Sequence, residues 1–156
     1  MKQPLENILS DVASGALEKL AFLFAFPAEE AGSEWPDSGA AASVSFSGAF
    51  SGSLVMQISD DALFELTANM LGLADDEETT AEQQHDALKE ALNVICGNLL
   101  PALAGSQAVF NIDSPRLVSG AQAEEQNHDG GPDCRVNLDL ESGQCQILLF
   151  TENGMT

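Results

Sequence analysis

Residues 80–105 read TAEQQHDALKEALNVICGNLLPALAG. Leu88, Leu92, Ile95, Leu99 and Leu103 recur at intervals of three or four residues, the period of an α-helix that buries one stripe. At about 100° per residue, Asp86, Glu90 and Asn93 (i, i+4 and i+7) fall within roughly 60° of one another, on the side away from that stripe. Thr79 or Thr80 is placed to cap the helix, with Glu82 or Gln83 near the third position to complete a capping box. Gly105 marks its end, and Pro101 is expected to kink it or to end its regular part early.

On the N-terminal side, apolar residues at helical spacing run from Leu5 to Phe26 and predict a first helix ended by Pro27, with Phe22, Phe24 and Phe26 packed in the core or, as the alternative, serving an interface. Residues 28–41 read as a loop that Trp35-Pro36 anchors. Val44, Phe46, Gly48 and Phe50 alternate with small residues, as in a half-buried strand, and residues 53–58 read as its hairpin partner. Asp60 is the expected N-cap of a helix closing at Gly72, and residues 74–78 form an acidic loop. Beyond Gly105, strands are expected at about 107–112, 115–119, 133–140 and 144–151, with a loop at 122–131 and a hairpin turn at 141–144.

The order of elements is α, ββ, α, α, ββ, ββ. Helices grouped between strand pairs predict an α+β fold, an antiparallel-rich sheet with long helices packed on one face. Without a linker long enough to divide the chain, residues 1–156 are expected to form one domain.

Composition narrows the function. Of 156 residues 44% are hydrophobic, enough for a core, while five Lys and Arg stand against 25 Asp and Glu, a net charge of −20. Such a field repels phosphate backbones and anionic lipid, so neither nucleic acid nor a membrane is an expected partner. There is no apolar run of the roughly 20 residues needed to cross a bilayer, and no secretory signal is expected. Cys96, Cys134 and Cys145 lack a CxxC pair and suit a reducing cytoplasm, although the last two fall on strands that could be neighbours. His85 and His128 lack the spacing of a zinc motif, no other ligand cluster is evident, and no metal site is expected. Asp129-Gly130-Gly131 reads as a turn.

The Asp86/Glu90/Asn93 face has a bland reading, because polar residues are common on a solvated helix face. Two residues argue for more. Asn is a mediocre mid-helix residue, and Gly97, poorer still, lies one turn beyond Asn93 on the same face, where its missing side chain leaves room for a macromolecule to approach. The pattern Asp or Ser, three residues, Glu, two residues, Asn, then a distant Pro is met by Asp86, Glu90, Asn93 and Pro115. In this it resembles the CheC/CheX/FliY family of chemotaxis phosphatases. Gly52-Ser53-Leu54-Val55, Met70-Leu71-Gly72 and residues 114–120 (SPRLVSG) are similar to the CheX segments around the motif, so the resemblance covers most of residues 44–120.

The resemblance implies a phosphatase acting on the aspartyl phosphate of a CheY-type response regulator. Asn93 would orient the attacking water, Glu90 would pair with a lysine of the regulator, Asp86 and Gly97 would support docking, and Pro115 would be structural. It implies no cofactor bound by this chain, with Mg²⁺ on the receiver domain. CheC-type relatives carry the motif on two helices. Here Ser14 and Glu18 are followed by Ala21 where Asn should stand, which leaves one motif and favours the CheX type, a homodimer formed by sheet pairing. Lys89 departs from the small residue that many members place before the Glu. The alternative is a non-catalytic module of the same fold that binds a receiver domain or a flagellar-switch protein.

Overall fold

A computed structural model describes residues 5–27, 39–74, 77–118 and 133–151. The elements are α1 (Leu5–Ala21), β1 (Phe26–Pro27), β2 (Ala40–Gly48), β3 (Gly52–Ile58), α2 (Asp60–Leu71), α3 (Ala81–Ala104), β4 (Phe110–Ile112), β5 (Arg116–Val118), β6 (Cys134–Asp139) and β7 (Gln144–Thr151). The strands form one antiparallel sheet in the order β1-β6-β7-β3-β2-β4, with β5 also paired to β2. The fold is α+β, as expected. Trp35, residues 75–76, Ser119, Gly120, the 122–131 loop with His128, and Asp129-Gly130-Gly131 lie outside the described residues.

Strand alternation divides the sheet's two faces. Ala42, Val44 and Phe46 of β2, Leu54, Met56 and Ile58 of β3, and Ile147 and Leu149 of β7 join one buried cluster with the apolar stripes of all three helices. The opposite face carries a smaller cluster of Ala41, Val55, Leu148 and Phe150. Beside it, the Gln57 amide donates to Gln146 and the Gln146 amide to Asn137, across three neighbouring strands.

The capping box of α3 forms with Gln83. Its backbone N–H donates to the Thr80 hydroxyl at 3.1 Å, while the Thr80 N–H donates to the Gln83 side chain at 2.9 Å. The helix does not stop early. Pro101 lies in its last turn, where only one intrahelical N–H is forfeited, and Gly105 closes it by donating to the Pro101 carbonyl. For α2 the cap is Ser59 rather than Asp60. The Ser59 N–H donates to the Gln144 carbonyl and its hydroxyl accepts from the Gln144 N–H, so a bond to β7 sets where the helix begins.

The largest difference is at the end of α1, which stops at Ala21. Phe22 takes a left-handed conformation at φ 54°, with its N–H donating to the Glu18 carbonyl and the Leu23 N–H to the Leu17 carbonyl. The chain then runs extended into β1, which pairs with β6. Alternation sends Leu23 and Ala25 inward and leaves Phe22, Phe24 and Phe26 exposed at 75, 60 and 66%, so the expected core role of these rings is corrected. Cys134 and Cys145 do lie on neighbouring strands, but Cys134 is paired with Leu149, four positions along β7 from Cys145 or about 13 Å, and both thiols are free.

Phe22 carries a bulky side chain where glycine is favoured and contributes little packing. Phe22→Gly should therefore raise stability, by about 1 kcal/mol, in urea denaturation. Burial raises the thiol pKa of Cys96 and Cys145 to about 12 and that of Cys134 to about 11, the last two helped by nearby carboxylates. Unfolded thiols ionise near 8.5. The folded state holds its protons where the unfolded state has lost them, so stability should fall as pH rises from about 9 toward 12. Replacing the three cysteines by Ala should flatten that part of a Tm-against-pH curve.

Candidate functional site

The buried stripe of α3 determines what its other side presents. Leu88, Leu92, Ile95 and Leu99 are fully buried beneath the helix, and Asp86, Glu90, Asn93 and Gly97 are all exposed in a row above it. The expected face therefore forms. Lys89 lies beside it, its ammonium 3.9 Å from the Asp86 carboxylate, a surface ion pair of small energetic value. A Cβ built on Gly97 meets nothing within 4 Å, so no neighbour within the described fold requires glycine there.

Pro115 also belongs to this site. A cleft of about 380 Å³ has Asp86, Lys89, Glu90 and Asn93 on one wall and Ile112, Asp113, Ser114 and Pro115 on the other. The second wall is a β-bulge. Phe46 pairs with Ile112 and Ser43 with Arg116, so Asp113, Ser114 and Pro115 stand opposite only Val44 and Ser45. Pro115 has no N–H to give to a ladder, which suits the interruption between β4 and β5. The Asp113 N–H still donates to the Ser45 carbonyl at 2.9 Å and ties the bulge to β2.

Ile112, Asp113 and Ser114 are the lining residues that the sequence reading passed over. The available signal was Asp-Ser-Pro breaking an otherwise strand-like run, which marks a bulge or turn without saying what it faces. On α1, Ala21 is fully buried, so the position corresponding to Asn93 there has no access to a partner. Among the described residues, no group of three or more His, Cys, Asp or Glu is arranged to hold a metal ion, and no helix is long and apolar enough to cross a membrane.

Residues 40–138, more than half of the chain, match the family described as chemotaxis phosphatase CheX. The chain belongs to the CheX family. No curated protein matches it in sequence. Among solved structures, a putative chemotaxis protein of Desulfovibrio vulgaris Hildenborough superposes with a TM-score of 0.74 at 19% identity, over 95% of this chain and 96% of that one. The CheX protein of Vibrio vulnificus gives 0.72 at 20% identity, over 96% and 97%. CheX in the CheX–CheY–BeF3–Mg²⁺ complex of Borrelia burgdorferi gives 0.71 at 18% identity, over 97% and 99%. At these identities the superpositions establish a CheX-like fold over nearly the whole chain.

Gly97 tests whether the exposed face is shaped for its own helix or for something else. Gly97→Ala should stabilise the protein by up to about 1 kcal/mol through helix propensity, since the new methyl enters open space. A shift of the urea midpoint to higher concentration is the expected result, and destabilisation would point to an intramolecular role for the glycine.

Proposed function

We propose that this CheX-family chain accelerates hydrolysis of the aspartyl phosphate of a CheY-type response regulator in the cytoplasm. The observation that carries the reading is the exposed Asp86/Glu90/Asn93 row on α3 facing the Pro115 bulge across one cleft. Membership of a family described as chemotaxis phosphatase CheX supports the reaction class, and the Borrelia burgdorferi CheX–CheY complex supports the partner class.

In this reading α3 lies against the receiver's phosphorylation site. The Asn93 carboxamide holds a water in line with the bond between phosphorus and the aspartyl oxygen. The water oxygen bonds to phosphorus and the aspartate leaves as carboxylate. Inorganic phosphate is released and the water's spare proton passes to phosphate or solvent. The acyl phosphate is already labile, so placing the nucleophile is the main contribution required. Glu90 pairs with a lysine of the receiver and sets the pose, Asp86 lies at the rim, and Gly97 gives the receiver room. Mg²⁺ belongs to the receiver, where it neutralises charge on the phosphoryl oxygens, and this chain needs no cofactor of its own. The proposed assembly is a homodimer paired through the β4–β5 edge, where the outer sides of two three-residue strands have no partner strand among the described residues.

Asn93→Ala should lower the turnover of a phosphorylated cognate receiver to its unassisted rate, a loss of about 100-fold or more, while leaving receiver affinity and Tm near wild type. Glu90→Ala should mainly raise the Kd for the receiver. Unchanged turnover in the Asn93 variant would sink the catalytic assignment. Wild-type protein that binds the phosphorylated receiver without hastening its dephosphorylation would favour a non-catalytic binding module instead.

A further inference from the structure

The mechanism above uses one wall of the cleft, and the other wall carries a charge of its own. Asp113 lines the cleft from the bulge, facing the helix that bears Glu90. Its backbone is held by the bond to Ser45, with ladder pairs directly before it at Ile112 and just beyond the bulge at Arg116. The carboxylate is thus carried on a short bulge anchored at both ends by paired strands, which positions a group better than a free loop does. Three carboxylates and one ammonium line the cleft, and the ammonium of Lys89 is engaged with Asp86. Glu90 and Asp113 remain on opposite walls, with no described basic side chain within ion-pair distance of either.

A cleft charged in this way discriminates. A free anionic group is repelled from both walls, unlike a phosphoryl group that arrives neutralised by the receiver's Mg²⁺. An apolar group would strip water from two carboxylates without replacing their hydrogen bonds. A lysine or arginine side chain gains Coulomb attraction from each wall and stays hydrated at the open mouth. We infer that Asp113 is a specificity-determining residue, engaging from the bulge a basic side chain of the receiver that enters the cleft opposite Glu90. The inference rests on the function proposed above and adds a second docking carboxylate to it. It makes the bulge the element that selects among receivers, by the positive charge they present at this wall.

The test uses a panel of CheY-type receiver domains loaded with beryllofluoride and Mg²⁺, titrated with the full chain and with its Asp113→Asn, Asp113→Lys and Glu90→Ala variants. For the receiver bound best by wild type, Asp113→Asn should raise Kd about three- to tenfold, and Asp113→Lys should raise it further. The loss should shrink as ionic strength rises, because it is a loss of charge attraction. With the same receiver phosphorylated, KM should rise more than kcat falls, and Asp113→Glu should recover most of the affinity. Asp113→Asn preserves the shape of the side chain and leaves the bond to Ser45 intact, and an unchanged Tm would separate docking from folding. If both Asp113 variants bind like wild type while Glu90→Ala weakens, the inference is overturned and the proposed function stands. If wild type binds no loaded receiver, both fall together.

Discussion

Burial of the apolar stripe of α3 is the constraint on which the rest of the molecule depends. Leu88, Leu92, Ile95 and Leu99 have no exposed surface, and they join the same cluster as α1, α2 and the inner face of the sheet. Truncating a buried leucine typically costs about 2–5 kcal/mol, so rotating the helix to bury another face would forfeit several times the value of any surface pair it could form. The helix is therefore locked about its own axis. The outward direction of Asp86, Glu90, Asn93 and Gly97 follows from that lock, and the site's precision is borrowed from the core beneath it.

Strand β2 supplies the second half of the geometry. It pairs with β3 on one side and with both β4 and β5 on the other. Between the two edge strands the register slips by one residue, and the bulge this makes, tied to β2 through the Asp113 N–H, lines the cleft opposite α3. A continuous edge strand would have kept alternate side chains on the two faces of the sheet. One extra residue gives the helix face an opposing wall instead. Because α3 packs on the inner face of the same strand, helix and bulge share one rigid support.

The features legible in the sequence were those set by local period and turn chemistry. The boundaries of α3 follow from Thr80, Gln83 and Gly105, and the strand hairpins follow from alternation interrupted by Gly or Ser. What the sequence hid was set by distant contacts. Ser59 caps α2 because β7 grips it on both sides, a bond across 85 positions of sequence. The run Leu20–Phe26 is apolar at every position, so it carries no period of its own, and pairing with β6 makes its last residue strand rather than helix. The placement of Asp113 and Ser114 along the cleft was hidden for the same reason, since only the packed sheet sets them across from Asn93.

The acid balance of the chain bears on the site in a way that composition alone does not show. A charge of −20 spread over the surface disfavours any anionic partner at long range, and a phosphorylated receiver carries a dianion at its centre. On the function proposed here the two are reconciled by distance. Within about one Debye length, roughly 8 Å at physiological salt, local groups outweigh the distributed field. In that proposal the group that would meet the phosphoryl site, Asn93, is neutral, and the carboxylates of Asp86, Glu90 and Asp113 line the cleft around it. A carboxylate at position 93 would have the same size as the amide but would repel the phosphoryl oxygens. In the proposed role the amide would orient water without adding charge, and for that task an otherwise poor mid-helix residue suits the centre of an acidic face.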